Sequence, residues 1–175
     1  MKTGLIQVYT GNGKGKTTAS IGLAIRACGQ KLKVCYTSFG KNPGKWGCGE
    51  HKILKHLGID TFCFTQEHPH FHKSLTKAEL KNRHSKCLKD LIILLRKKKY
   101  DLLILDEINN AIFNGYIEEK EVLNFLNTKP KNLEVVLTGR GASKNIIKKA
   151  DLVSEIKKIK HPYDKGIYAR KGIEF

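Results

Sequence analysis

The chain has no C-x-x-C pair. Its five cysteines, Cys28, Cys35, Cys48, Cys63 and Cys87, are odd in number and widely spaced. That spacing argues against a disulfide scaffold or a zinc site, and reduced thiols in the cytoplasm are the simple reading. Cys28, Cys35, Cys63 and Cys87 lie among apolar neighbours and are expected as small core residues. No run is apolar and long enough to cross a membrane. Met1-Lys2-Thr3-Gly4 leads straight into an apolar run, so no signal peptide is expected. Internal repeats and low-complexity linkers are absent. Acidic residues are scarce: 16 Asp and Glu stand against 33 Lys and Arg, for a formal charge of +17. Such a balance suits either a polyanion binder or a lysine-rich surface. The lysines are scattered along the chain, and no aromatic-and-basic module for RNA or single-stranded DNA stands out. The second reading is favoured, and a nucleic-acid partner is not expected. Either way the field should attract anionic ligands and acidic partners.

What is present points elsewhere. The 175 residues suit one domain, spanning 1–175. A domain of this size buries roughly 70% of its unfolded surface and needs no disulfide or metal to fold. The apolar run Leu5-Ile6-Gln7-Val8-Tyr9 is followed by Thr10-Gly11-Asn12-Gly13-Lys14-Gly15-Lys16-Thr17-Thr18 and then by a helical pattern. Strand, glycine-rich loop and helix in that order make a phosphate loop. Backbone N–H groups and the start of the helix face the phosphate oxygens, the lysine adds charge, and the threonine hydroxyl reaches magnesium. The usual pattern is G-x-x-x-x-G-K-[ST]; here its first glycine is Thr10, and glycines fall instead at 11, 13 and 15. The loop is a variant.

A second motif agrees. Tyr100-Asp101-Leu102-Leu103-Ile104-Leu105-Asp106-Glu107 reads as a buried strand ending in two acids, the pattern that places a carboxylate beside phosphate-bound magnesium. Around these motifs the chain alternates. Strands are expected at 5–9, 34–39, 59–64, 102–105, 133–137 and 152–156. Helices are expected at 16–28, 50–57, from a Thr76–Glu79 capping box to about 98, at 118–126, and from Ser143 to 150. Such alternation predicts an α/β, RecA-like P-loop domain, a mostly parallel central sheet with helices on both faces. Ligands on such sheets bind at the carboxyl ends of the strands, so the loop, Asp106-Glu107 and Thr138-Gly139-Arg140-Gly141 should converge. His68-Pro69-His70-Phe71-His72 offers three alternating histidines. Pro69 and the lack of nearby carboxylates or paired cysteines favour a loop over a metal site. These residues support Mg-ATP binding without saying which bond reacts. An ATP-hydrolysing or phosphoryl-transferring P-loop protein, or a RecA-like nucleic-acid-binding ATPase, would need the same parts.

The ordered set is more specific. Gly11-Asn12-Gly13-Lys14-Gly15-Lys16-Thr17-Thr18 resembles the phosphate loop of the ATP:corrinoid adenosyltransferases, of the cob(I)alamin or cob(I)yrinic acid a,c-diamide type. The resemblance continues in Leu105-Asp106-Glu107, in Val136 to Gly141, in Ala150 to Glu155, in Ile159 to Ile167 and in Arg170 to Phe175. It implies transfer of the 5′-deoxyadenosyl group of ATP to Co(I) of a corrinoid, with release of triphosphate, in adenosylcobalamin biosynthesis or salvage. It implies ATP as co-substrate, Mg2+ or Mn2+, a corrinoid substrate, a homodimer and a flavoprotein electron donor. It also implies that ATP lies reversed in the loop, and glycines at 11 and 13 would let the backbone come close to it. On this resemblance Gly11, Asn12, Gly13, Lys14, Gly15, Lys16, Thr17, Thr18 and Arg140 bind ATP. Lys16, Thr17 and Glu107 are catalytic, and Thr17, Asp106 and Glu107 hold the metal. Many relatives carry Gly-Phe-Thr-Trp after the third strand, with aromatics that displace the corrin's lower ligand. Here the matching residues are Cys63-Phe64-Thr65-Gln66. Phe64 remains, and Phe71 or Trp46 is the candidate to stand in for the tryptophan.

Overall fold

The structure is a computed structural model and describes residues 3–39, 49–63 and 76–174. Six strands form one parallel sheet: β1 (Ile6–Thr10), β2 (Val34–Ser38), β3 (Asp60–Cys63), β4 (Leu102–Asp106), β5 (Glu134–Thr138) and β6 (Leu152–Glu155). Their spatial order is β3-β2-β4-β5-β1-β6. The helices are α1 (Lys16–Gly29), α2 (Gly49–His56), α3 (Lys77–Lys97), α4 (Ile108–Phe113), α5 (Glu119–Thr128) and α6 (Lys144–Lys149). A short 3-10 turn covers Pro162–Lys165.

The sheet is covered on both faces, and its inner strands show it. β2, β4 and β5 are buried at every position, as parallel strands under two helical layers must be. Alternate residues go to opposite faces. Leu103 and Leu105 join one core with Leu88 and Leu91 of α3, Val122 and Phe125 of α5, and Ile146 of α6. Leu102 and Ile104 join a second core with Ala24 and Ala27 of α1 and Leu54 of α2.

Local signals explain the helices. α3 opens on the expected capping box: Thr76 N donates to Glu79 Oε2 at 2.8 Å, and Glu79 N donates to Thr76 Oγ1 at 3.2 Å. Its buried positions Leu80, His84, Cys87, Leu88, Leu91 and Leu95 follow the helical period. Ser143 Oγ accepts from Ile146 N at 3.2 Å and starts α6. α1 has no side-chain cap: Gly15, at φ 125°, precedes it. Element ends fall within two residues of the expected ones. α4 is an addition, a helix of six residues that the sequence pattern does not announce.

Cys35 and Cys87 are buried, whereas Cys28 and Cys63 are half-buried at the margin of the core rather than within it. Burial pushes the Cys35 and Cys87 thiols up to about 12, so neither is a thiolate at neutral pH. No helix among the described residues is long and apolar enough to cross a membrane.

Candidate active site

The sheet order decides what meets at the carboxyl edge. β5 lies between β1 and β4, so the ends of β1 and β4 are two strand spacings, roughly 10 Å, apart. Thr138 ends the strand between them. The phosphate loop, Asp106-Glu107 and 138–141 therefore do converge.

Thr10, which stands where the usual loop has its first glycine, is buried at 8% exposure. Its hydroxyl accepts from Ala142 N at 3.3 Å, tying β1 to the loop after β5. Its carbonyl accepts from Ile156 N at 2.8 Å. The next glycines answer to the chain leaving β6. A Cβ on Gly11 would lie 2.5 Å from Ile156 O, and one on Gly13 would lie 2.7 Å from Lys157 O. Gly13 N itself donates to Ile156 O at 2.7 Å. Within the protein, the close approach these two glycines permit is to residues 156–157. Gly15 differs, with open space around its Cβ position and φ 125°.

Lys16 is buried at 8% exposure. Its ammonium lies inside the loop, donating to Gly11 O at 2.8 Å and Gly13 O at 2.6 Å. Thr17 is half-buried in the first turn of α1, while Asn12, Lys14 and Thr18 are exposed. The C-terminal residues return to this loop. Lys14 Nζ donates to Ile173 O at 2.9 Å and lies 3.9 Å from Glu174. Arg170 bonds the Glu174 carboxyl and holds its pKa at about 2.

At the end of β4, Asp106 is fully buried. Oδ1 accepts from Thr138 Oγ1 at 2.7 Å and Oδ2 from the Tyr36 hydroxyl at 2.8 Å. Thr138 Oγ1 in turn accepts from Glu107 N at 2.9 Å. Glu107 sits in the left-handed region at φ 64° and precedes α4. That conformation is uncommon for a residue with a side chain and clusters at functional sites. It turns the chain sharply after the strand. Burial, and then the nearby Asp106 carboxylate, push the Tyr36 hydroxyl pKa well up, so it stays a donor. The two acids are therefore unequal: Asp106 is built into a hydrogen-bonded buried layer, and Glu107 stands at the turn above it. Ser38 Oγ, beside Asp106 in the sheet register, and the Asn109 amide are buried with no hydrogen-bond partner among the described residues. Carboxylate and hydroxyl oxygens with orphaned polar atoms beside them are the hard donors a magnesium ion and its water ligands take. The donor set fits that ion.

The loop after β5 packs on α4. Arg140 N donates to Asn110 Oδ1. A Cβ on Gly139, at φ 132°, would lie 2.8 Å from Asn110 N. The Arg140 side chain is exposed. Phe64, Phe71 and Trp46, along with Gln66, the three alternating histidines and Cys48, lie outside the described residues. Among the described residues, no group of three or more His, Cys, Asp or Glu could hold a metal ion by itself. Tyr36 is a participant that sequence reasoning missed; Thr138 lies in the segment expected to converge, but its bond to Asp106 is not legible there. β2 carries three hydroxyls in a row, Tyr36, Thr37 and Ser38, so nothing in its sequence singles out Tyr36.

The family model described as ATP:corrinoid adenosyltransferase BtuR/CobO/CobP matches residues 2–175. The chain belongs to this family. The corrinoid adenosyltransferase of Escherichia coli K12 is 35% identical over 176 residues, covering 98% of this chain and 86% of that protein. Corrinoid adenosyltransferase CobA of Salmonella typhimurium shows the same identity and coverage. The corrinoid adenosyltransferase of Pseudomonas aeruginosa is 34% identical, covering 98% of this chain and 84% of its own length. Among solved structures, flagellar accessory protein FlaH from Methanocaldococcus jannaschii has a TM-score of 0.60 at 15% identity. It covers 89% of this adenosyltransferase-family chain and 72% of its own, a likeness of fold alone. The α/β, RecA-like P-loop architecture is as expected.

Proposed function

We propose that the loop from Gly11 to Thr18 grips the triphosphate of ATP as a leaving group, so that C5′ is open to a corrinoid. In this ATP:corrinoid adenosyl transfer, the Co(I) electron pair attacks C5′. The cobalt–carbon bond forms as the C5′–O bond breaks, and the electrons of the broken bond leave on triphosphate. Cobalt is the nucleophile, so the protein need supply no general base. Its work is alignment and charge. The observation that carries this reading is the buried Lys16 ammonium, held inside the loop by Gly11 O and Gly13 O at 2.8 and 2.6 Å. A cation there is set to neutralise charge building on the departing triphosphate.

Thr17 and Glu107 are the groups proposed to hold magnesium, with Asp106 behind them. When bound, that ion adds positive charge against the triphosphate. Arg140, exposed on the loop after β5, is suited to a phosphate or corrin side-chain contact. On the corrin side, Phe64 with Phe71 or Trp46 remains the proposal from the sequence. A single domain, a homodimer, a cytoplasmic setting and a flavoprotein donor complete the reading. The +17 charge supports an acidic donor.

Lys16→Ala tests the loop assignment. Turnover of Mg-ATP with chemically reduced corrinoid should be lost while the melting curve stays cooperative. Retained turnover in the folded variant would refute it.

A further inference from the structure

We propose that Tyr36 is a positioning residue for metal–nucleotide binding: with Thr138 it clamps the Asp106 carboxylate from two sides, and Thr138 hands that fixed orientation to the backbone of Glu107. The inference rests on the reading that Glu107 serves the nucleotide-bound metal.

Three observations carry it. First, Tyr36 and Asp106 belong to neighbouring strands, Tyr36 pairing with Ile104 and Ser38 with Asp106. Tyr36 and Asp106 thus share a sheet face, one step apart along the strands. Second, the Tyr36 ring lies in the second core, edge-on to His51 with centroids 5.3 Å apart. A phenylalanine would fill that space, and burying a hydroxyl without a partner is costly. The hydroxyl is used on the carboxylate: 2.8 Å to Asp106 Oδ2, at a fully buried residue. Third, Thr138 has a single proton and spends it on Asp106 Oδ1 at 2.7 Å, which turns its lone pair to Glu107 N at 2.9 Å. The chain of bonds runs from Tyr36 through Asp106 and Thr138 to the left-handed turn at Glu107. Each link fixes the next. Partners one step removed from a ligand commonly matter about 10- to 100-fold.

The test compares two affinities in the full-length protein: ATP with Mn2+ as the probe metal, and ATP in EDTA. Tyr36→Phe and Thr138→Val should each weaken Mn-ATP binding about tenfold or more. Metal-free ATP binding should be unchanged. Thr138→Ser, which keeps the hydroxyl, should restore Mn-ATP binding. The Tyr36→Phe/Thr138→Val pair should be less than additive, because both act through one carboxylate. Wild-type Mn-ATP affinity in Tyr36→Phe would overturn the proposal. So would equal weakening of both affinities, the result of a core that has merely loosened. If Thr138→Val does not fold, Tyr36→Phe and Thr138→Ser decide it. Glu107→Gln separates the two levels. Wild-type Mn-ATP affinity there removes the metal reading itself, whereas loss there beside intact Tyr36→Phe removes only the clamp.

Discussion

Gly13→Ala adds one methyl group at a place where the structure leaves no room. Its Cβ would lie 2.7 Å from Lys157 O and 2.8 Å from both Ile156 O and Ile156 Cγ2, where ordinary contact begins at 3.4 Å. The Ile156 side chain can rotate aside; the two carbonyls cannot. To clear Lys157 O the loop and the exit from β6 must part by about 0.7 Å, and the 2.7 Å bond from Gly13 N to Ile156 O stretches with them. Overpacking of this kind costs about 1–3 kcal/mol. Chains of 150–250 residues lose about 2–4 °C of melting temperature per kcal/mol. A misplacement near 1 Å at a reacting centre can cost about a hundredfold in rate. Gly13→Ala should therefore melt several degrees lower, bind ATP about tenfold or more weakly, and lose most of its turnover. Gly22→Ala is the matched control. It lies within α1 with nothing within 4 Å of its Cβ position, so it should gain about 0.5–1 kcal/mol from helix propensity. The measurements are differential scanning calorimetry and ATP titration of the three proteins. Wild-type melting and ATP affinity in Gly13→Ala would refute the packing of the phosphate loop against residues 156–157.

Two further outcomes follow from the packing of α3. Burial lowers the His84 pKa below its ordinary 6.5, and the imidazole stacks on Phe39 and lies tilted against Tyr116. The unfolded chain therefore takes up the proton first. The stability His84 contributes is full above about pH 6.5 and is lost as the pH falls through that value toward the folded pKa. His84→Phe keeps the stacking and removes the titration. Its melting temperature should fall less than that of wild type between about pH 7.5 and pH 5.5, and equal falls would show that His84 is not the titrating group. Thr76→Ala removes the acceptor for Glu79 N at the start of α3. It should lower melting by about 2–4 °C with ATP affinity unchanged; an unchanged melting curve would show that the capping box adds nothing to stability.

Much of this architecture is legible in the chain because its signals are local. The capping box at Thr76–Glu79 and the cap at Ser143 involve residues three apart, and both occur in the structure. The buried strand Leu102–Asp106 is recognisable as an unbroken apolar run closed by acids. What was hidden depends on distant contacts. That Gly11 and Gly13 also admit the chain leaving β6 cannot be read from their neighbours in sequence. The family resemblance places Asp106 among the metal ligands with Thr17 and Glu107. Its place in a bonded layer depends on Tyr36, 70 residues earlier, and Thr138, 32 residues later. A tyrosine in the middle of a strand reads as core packing, and nothing adjacent marks its hydroxyl as paired. α4 is not legible in sequence because six residues are too few to display a helical period and its first turn follows a left-handed glutamate rather than a capping side chain.

The most direct measurement is the identity of the phosphorus product. Purified protein, Mg-ATP and chemically reduced corrinoid are mixed, and the products are followed by phosphorus NMR and by the light-sensitive absorbance of an adenosyl–cobalt bond. The account predicts inorganic triphosphate appearing in step with the adenosyl product, and neither product in Lys16→Ala. ADP and phosphate in place of triphosphate, released with or without corrinoid, would contradict it.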